Sequence, residues 1–285
     1  MTLPWGRSVK IGVKQYFSAH DMRHKTVLDI PAGKGRMTDF LQSLGADVTA
    51  LDLFTYGTVV GNVTIKKADL MKTLPVPTDS IDYVLCQEGI EHLPNQLTCL
   101  REFSRILRPG GKLIVTTPNF SSLRARFSFF FVENNSLKHF PANEIDGVVA
   151  IDEDNIGFHH VFLIGIQKLR VLARVSNFKI KKIHPAKFSG TSMLLFVLLY
   201  PAHVILNIVT HYRTLRRRKK DFPQGHKEYA RVSGEILRIN LHPFVLLGNH
   251  LFVEFEKVPT NILRSVGESS AAVNPTDQVA AKQEH

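Results

Sequence analysis

The chain alternates short apolar runs with segments whose apolar positions recur at helical spacing. Thr26-Val27-Leu28-Asp29-Ile30 is a β-branched run ending at a glycine-rich turn, and Met37 to Leu44 follows with helical periodicity. Asp47 to Leu53 predicts a second strand closing on Asp52, Gly61 to Lys66 a third leading into Ala68-Asp69-Leu70, and Ile81 to Cys86 a fourth. Asn95 to Leu107 alternates apolar and charged residues as a helix does. It stops at Arg108-Pro109-Gly110-Gly111, a turn that launches a fifth strand, Lys112 to Thr117. Strands and helices alternating at this spacing predict an α/β domain with a mostly parallel sheet and helices on both faces.

After Asn119 the pattern loosens. Ser121 to Val132 is basic and then packed with Phe127, Phe129, Phe130 and Phe131, and Glu133 to Gly157 lacks periodicity, so residues 120–157 are expected to form an insertion or lid. A helix over Leu163 to Ser176, a strand over Phe178 to His184 and a last strand over Leu246 to Glu256 are expected to follow. The expected organisation is an N-terminal cap over 1–25, the main domain with its lid over 26–186, an apolar and basic helical insertion over 187–245, the final strand within 246–258, and a disordered tail over 259–285.

Between Phe188 and Tyr212 there is no Asp, Glu, Lys or Arg, and Met193 to Val209 is long and apolar enough to be a transmembrane candidate, although Pro201, His203 and Asn207 interrupt it. Strands on both sides are expected to join one sheet, which excludes a single crossing. A segment entering a bilayer must then turn back near Pro201 or lie in the interface.

Composition adds a partner class. The chain has 285 residues, 44% of them hydrophobic, enough for a core without disulfides, and its two cysteines, Cys86 and Cys99, have no metal-type spacing. A formal net charge of +11 favours an anionic partner. The densest basic run, Arg213 to Lys220, directly follows the apolar stretch, which suits an acidic membrane surface better than a nucleic-acid groove. Met1 to Arg7 carries no charged-then-apolar signal pattern, so the expected location is cytoplasmic, with a peripheral position on the cytoplasmic membrane face.

The glycine-rich turn, Asp29-Ile30-Pro31-Ala32-Gly33-Lys34-Gly35, joins a first strand to its helix, where backbone can approach a ligand and free N–H groups can meet a negative group. Asp29 closes strand one, Asp52 closes strand two, where a carboxylate can grip ribose hydroxyls, and Asp69 follows strand three. Thr38 stands where a nicotinamide-binding fingerprint would have its third glycine, which counts against a dehydrogenase.

These residues resemble the class I S-adenosylmethionine-dependent methyltransferases, in particular the branch with ubiquinone-biosynthesis O-methyltransferases and bacterial surface-glycan methyltransferases. The resemblance covers about residues 24–120. It rests on Val27-Leu28-Asp29 with Gly33 and Gly35, Ala50-Leu51-Asp52, Ala68-Asp69-Leu70, Ile81-Asp82-Tyr83-Val84 with Glu91-His92-Leu93, and Leu107-Arg108-Pro109-Gly110-Gly111. It implies a Rossmann-like, mostly parallel seven-stranded sheet whose last strand is antiparallel. It also implies that Gly33 and Gly35 hold the methionine moiety of the cofactor, Asp52 the ribose, and Asp69 and Leu70 the adenine, with Gln87 as a wall; Asp29, Pro31 and Leu53 complete the cofactor set. Pro31 replaces the family's usual first glycine, fixing φ and removing a donor.

Methyl transfer from a sulfonium is an in-line displacement, so the enzyme must align a nucleophile and, for a hydroxyl, accept its proton. The base candidates are His160, His92 and His159. Glu88, Glu91 and His92 match an arrangement associated in the ubiquinone branch with a divalent cation; the alternative is a helix-terminal acid beside a packing histidine. Strand four ends in Cys86-Gln87-Glu88-Gly89, without the Asn/Asp-Pro-Pro-aromatic motif of base N-methylation. The expected activity is O-methylation of a small-molecule, lipid-linked or glycan hydroxyl. An RNA methyltransferase and a non-catalytic cofactor-binding scaffold are the alternatives, and nucleic acid is the disfavoured partner.

Overall fold

The computed structural model describes residues 8–138, 141–150, 156–221 and 226–259. Residues 1–7 of the expected cap and 260–285 of the expected tail lie outside the described residues. Helix α1 (Val9–Ser18) precedes β1 (Thr26–Asp29), α2 (Arg36–Ser43) and β2 (Asp47–Asp52). A hairpin of β3 (Val59–Val60) and β4 (Val63–Thr64) leads to β5 (Lys66–Lys67), and β6 (Ile81–Gln87) ends at a 3₁₀ turn over Ile90–His92. Then come α3 (Gln96–Ile106), β7 (Leu107–Pro118), α4 (Leu123–Val132) and a second hairpin, β8 (Val148–Ala150) with β9 (Ile156–Phe158). The chain continues through α5 (Ile166–Val175), β10 (Phe178–Ile183), α6 (Gly190–Asp221), α7 (His226–Asn240), α8 (Pro243–Leu247) and β11 (His250–Lys257).

Seven strands form one sheet in the order β10-β11-β7-β6-β1-β2-β5. β11 is antiparallel to both of its neighbours, and every other pairing in the sheet is parallel. This is the Rossmann-like sheet expected from the sequence. Central strands covered on both faces must be apolar throughout, and Val84, Leu85 and Cys86 are each fully buried. One face packs Leu100 and Phe103 of α3, Leu169 of α5 and Val245 of α8. The other packs Val13 and Phe17 of α1 and Leu41 of α2.

Local departures have local causes. The expected third strand over Gly61 to Lys66 is split, because Val60 and Val63 close a hairpin and only Lys66–Lys67 pairs with β2. The turn at Arg108 to Gly111 interrupts no strand; β7 bulges there, with the register against β6 shifting between Ile81 and Tyr83. The last strand begins at His250, not Leu246, because Pro243 starts helix α8, capped by the His242 side chain accepting from the Phe244 N–H at 3.2 Å.

The apolar stretch does not turn back near Pro201. It runs as the single helix α6, with Pro201 inside it, and α7 makes the return. Proline removes one intrahelical hydrogen bond, yet 32 residues keep the helix continuous.

Candidate active site

The carboxyl ends of β1, β2, β5 and β6 open on one cavity of about 660 Å³, the position where an open α/β sheet binds ligands. Pro31, Asp52, Leu53, Asp69 and Leu70 line its sheet side. Glu88, Gly89, His92 and Leu93 line the adjoining wall, and Val149, Ile156, Phe158 and His159 of the second hairpin cover it.

The first loop is built around Asp52. Its carboxylate accepts the Gly33 N–H at 2.8 Å and the Phe54 and Thr55 N–H groups at 2.8 and 2.9 Å, and the Thr55 hydroxyl donates to the Gly33 carbonyl. Strand two thereby fixes the loop after strand one. Gly33 and Gly35 both have positive φ, 56° and 72°, and Gly35 caps α2. At Gly35 an added Cβ would lie 2.3 Å from Val60 Cγ2, so the β3–β4 hairpin rests directly on the loop. Asp29 does not reach the cavity. It is buried and accepts from the Thr38 hydroxyl at 2.7 Å, and burial raises its pKa to about 7 against the partial relief of that bond. The residue that excluded a dehydrogenase fingerprint, Thr38, thus holds the loop acid.

At the end of β6 the chain turns sharply, Glu88 adopting φ 54°. Glu88 and Gly89, rather than the expected Gln87, meet the cavity; the Gln87 Nε2 is buried without a partner. Gly89 is close-packed, since a Cβ there would stand 2.5 Å from Pro31 Cδ. The proline at the family's glycine position is matched by a glycine across the loop.

The polar side chains divide into two groups. The Glu88 carboxylate accepts from the Thr116 hydroxyl at 2.9 Å and faces His250 Nε2 at 3.4 Å. Burial pushes its pKa up, but the hydrogen bond and charge of His250 and the Thr116 hydroxyl outweigh it, leaving the pKa below the ordinary value. Glu91 is fully buried; one oxygen accepts from Thr117 Oγ1 at 2.9 Å and the other has no partner. Burial, reinforced by Glu88, raises Glu91 to about 7. His92 has Nδ1 2.8 Å from the Phe158 carbonyl, so Nδ1 is the donor and, in the neutral ring, Nε2 is the acceptor. The His160 ring stands edge-on to His92 at 5.0 Å, and burial, followed by His92, lowers its pKa. His160 is not among the residues lining the cavity, whereas His92 and His159 are.

Glu91, His92 and His160 each place a ligand atom within 4.8 Å of the others. Glu88, expected beside Glu91 and His92, is not in this group; its carboxylate meets Thr116 and His250. One carboxylate with an orphaned oxygen and two imidazoles form a donor set that a divalent cation would accept. Sequence reasoning missed Phe54, Gly89, Phe158 and His250. Gly89 and Phe54 adjoin recognisable motifs, but only the β11–β7 pairing brings His250 to Glu88.

Residues 28–115 match the family described as methyltransferase domain. The ubiquinone biosynthesis O-methyltransferase of Xanthomonas oryzae is 33% identical over 114 residues, 36% of this chain and 48% of that protein. A probable S-adenosylmethionine-dependent methyltransferase of Mycolicibacterium smegmatis is 29% identical over 157 residues, 50% of this chain and 58% of its own length. The chain thus spans about half the length of the curated relatives it matches. Among solved structures, YcgJ of Bacillus subtilis superposes with a TM-score of 0.51 at 13% identity, covering 88% of this chain and 99% of that one. A putative S-adenosylmethionine-dependent methyltransferase from Listeria monocytogenes superposes with a TM-score of 0.50 at 14% identity, covering 87% and 96%. These two similarities establish the fold.

Proposed function

We propose that this chain, which belongs to the class I S-adenosylmethionine-dependent methyltransferases, transfers a methyl group to a hydroxyl of a small, largely apolar or lipid-linked acceptor at the cytoplasmic face of a membrane. The observation that carries the reading is the single cavity joining Asp52 and Asp69 to His92 and His159 beneath the apolar cover of Val149, Ile156 and Phe158. In this reading Asp52 and Asp69 take the ribose and adenine side of the cofactor, its methionine portion lies toward Gly33 and Gly35, which are not among the residues lining the cavity, and the acceptor lies under the hairpin. The name of the Xanthomonas relative supports oxygen as the atom methylated.

Holding acceptor and methyl group in line supplies most of the acceleration. His92 is the group best placed to take the hydroxyl proton, because its Nδ1 bond to Phe158 leaves Nε2 as the acceptor. His160, edge-on behind it, is a positioning residue in this scheme. Glu91, His92 and His160 would also hold a divalent cation, which would polarise the acceptor oxygen and favour its alkoxide. The orphaned Glu91 oxygen favours this second reading.

The test is label transfer from S-adenosylmethionine to lipid, glycan and RNA fractions, with His92→Gln beside the wild type. Label in the lipid or glycan fraction, lost in His92→Gln while cofactor affinity is kept, is expected. Label in RNA alone would sink the acceptor assignment, and cofactor binding without transfer to any fraction would favour a scaffold. Loss of transfer on chelation, restored by a divalent cation, would select the cation-assisted form.

A further inference from the structure

Acids line the cavity at three strand ends. The order β5-β2-β1-β6 in the sheet is also the order of residues along the rim: Asp69 follows β5, Asp52 closes β2, Pro31 follows β1 and Glu88 follows β6. Neighbouring strands stand about 4.8 Å apart, so the path from Asp52 to Glu88 crosses two spacings, about 10 Å. S-adenosylmethionine has its parts in a matching order: adenine, ribose, then a sulfonium one methylene beyond the ribose ring. With adenine toward Asp69 and ribose at Asp52, the positively charged sulfur falls over β1 and toward β6.

The three acids are held differently. Asp52 accepts the N–H groups of Gly33, Phe54 and Thr55, and Asp69 accepts the Met71 N–H at 2.8 Å, so each is tied to backbone of its own wall. Glu88 is held by side chains, the Thr116 hydroxyl at 2.9 Å and His250 at 3.4 Å. Its own N–H donates to the Thr116 carbonyl at 3.0 Å, which steadies a φ of 54° that is uncommon for a residue with a side chain. Backbone outliers of this kind cluster at functional sites. The result is a carboxylate fixed on the wall of a cavity roofed by Val149, Ile156 and Phe158, where charges act on one another more strongly than in water. Lys72, which also lines the cavity, follows Asp69 and stands on the adenine side.

We propose that Glu88 reads the charge of the cofactor: its carboxylate faces the sulfonium and favours S-adenosylmethionine over the spent cofactor, an inference that rests on the placement of ribose at Asp52 and adenine at Asp69 above. Methyl transfer breaks the bond between the methyl carbon and sulfur, leaves the electron pair on sulfur and joins the methyl to the acceptor oxygen, whose proton passes to His92. The spent cofactor, S-adenosylhomocysteine, is therefore uncharged at sulfur, and the attraction to Glu88 vanishes with the charge. An interaction stronger in the ground state than in the transition state does not speed the chemical step. The contribution of Glu88 falls on cofactor exchange, retaining the loaded form and releasing the spent one.

Titration calorimetry of the full chain with S-adenosylmethionine and with S-adenosylhomocysteine tests this. Glu88→Gln keeps an acceptor for Thr116 and should weaken S-adenosylmethionine by about 10- to 100-fold, as expected for loss of a charge-assisted contact, while S-adenosylhomocysteine changes by less than about threefold. Equal losses for the two ligands, or no loss for either, would overturn the assignment. An analogue with an amino-bearing carbon in place of the sulfonium should follow S-adenosylmethionine; if it follows S-adenosylhomocysteine, the effect belongs to the methyl group and the charge reading fails. Both ligands carry adenine, so Asp69→Asn should weaken them alike, and a selective loss like that of Glu88→Gln would overturn the placement of the cofactor along the rim. Circular dichroism checks folding. Should Glu88→Gln not fold, Glu88→Met/His250→Phe removes both partners of the contact together and must show the same selective loss for the proposal to stand. A wild type that binds both ligands but labels no acceptor fraction would refute the proposed acceptor and leave the charge reading standing.

Discussion

Replacing Gly35 by alanine tests whether the β3–β4 hairpin is a rigid support of the cofactor loop. Two costs meet at this position. At φ 72° a Cβ is strained, by about 1–2 kcal/mol for the left-handed region. The same Cβ would lie 2.3 Å from Val60 Cγ2, and overpacking of that kind costs about 1–3 kcal/mol. Gly35→Ala should therefore destabilise by about 2–5 kcal/mol. Gly33→Ala supplies the reference for strain alone, because φ there is 56° and an added Cβ meets nothing within 4 Å. Val60→Ala removes the clashing methyls at a cost of about 1 kcal/mol. If the hairpin is rigid, Val60→Ala in the Gly35→Ala background should recover about 1–3 kcal/mol relative to additivity, leaving a loss close to the sum of the two reference variants. Urea denaturation of the four proteins and the wild type at one pH, read as midpoints with a common slope, measures each term. Effects additive to within about 0.5 kcal/mol would refute the contact as a structural constraint, since a hairpin free to swing aside creates no coupling.

Asp29→Asn should flatten a defined part of the pH–stability curve. The folded pKa of about 7 lies above the ordinary 3.8, so this acid favours the native state fully below about pH 4 and loses that contribution as pH rises to about 7, on the order of 1–4 kcal/mol. The variant keeps an acceptor for Thr38 and should show less loss between pH 4 and 8 by thermal denaturation; an unchanged slope would place the titration elsewhere. Gly89→Ala, which presses on Pro31 Cδ at 2.5 Å, should weaken S-adenosylmethionine binding measured by calorimetry and lower stability by about 1–3 kcal/mol. An intact affinity would mean that Pro31 takes no part in shaping the cofactor loop. Asn207→Leu removes the acceptor of the Asn240 amide and should cost about 1–3 kcal/mol. Hydrogen exchange should localise the effect to α6 and α7, and a silent substitution would show that this bond contributes nothing to holding the helices together.

The parallel half of the sheet was legible because its strands are buried on both faces and must be apolar runs, as Val84, Leu85 and Cys86 are. The sheet side of the cavity was legible for a related reason: Asp52 and Asp69 stand at strand ends, where sequence position and spatial position coincide. The wall after β6 was less readable, since the left-handed turn at Glu88 moves Gln87 away from the cavity and no local pattern announces it. Of the two courses expected for the apolar stretch, a turn near Pro201 is not taken: the helix continues through the proline, and the neighbouring His203 and Asn207 are held by α7. His250 could not be found by spacing, because it reaches Glu88 through a pairing of strands far apart in sequence.

The placement of His250 has a consequence for how such a chain can change. The matched region, residues 28–115, holds Pro31, Asp52, Asp69 and Leu70 on the sheet side of the cavity. The hairpin cover and His250 come from outside it. On the proposed function, the cover over the acceptor comes from outside the matched region, while Glu88 and His92 on the adjoining wall come from within it. A chimera that keeps residues 28–115 and exchanges the segments supplying the cover and β11 would inherit the donor and acquire a new recipient.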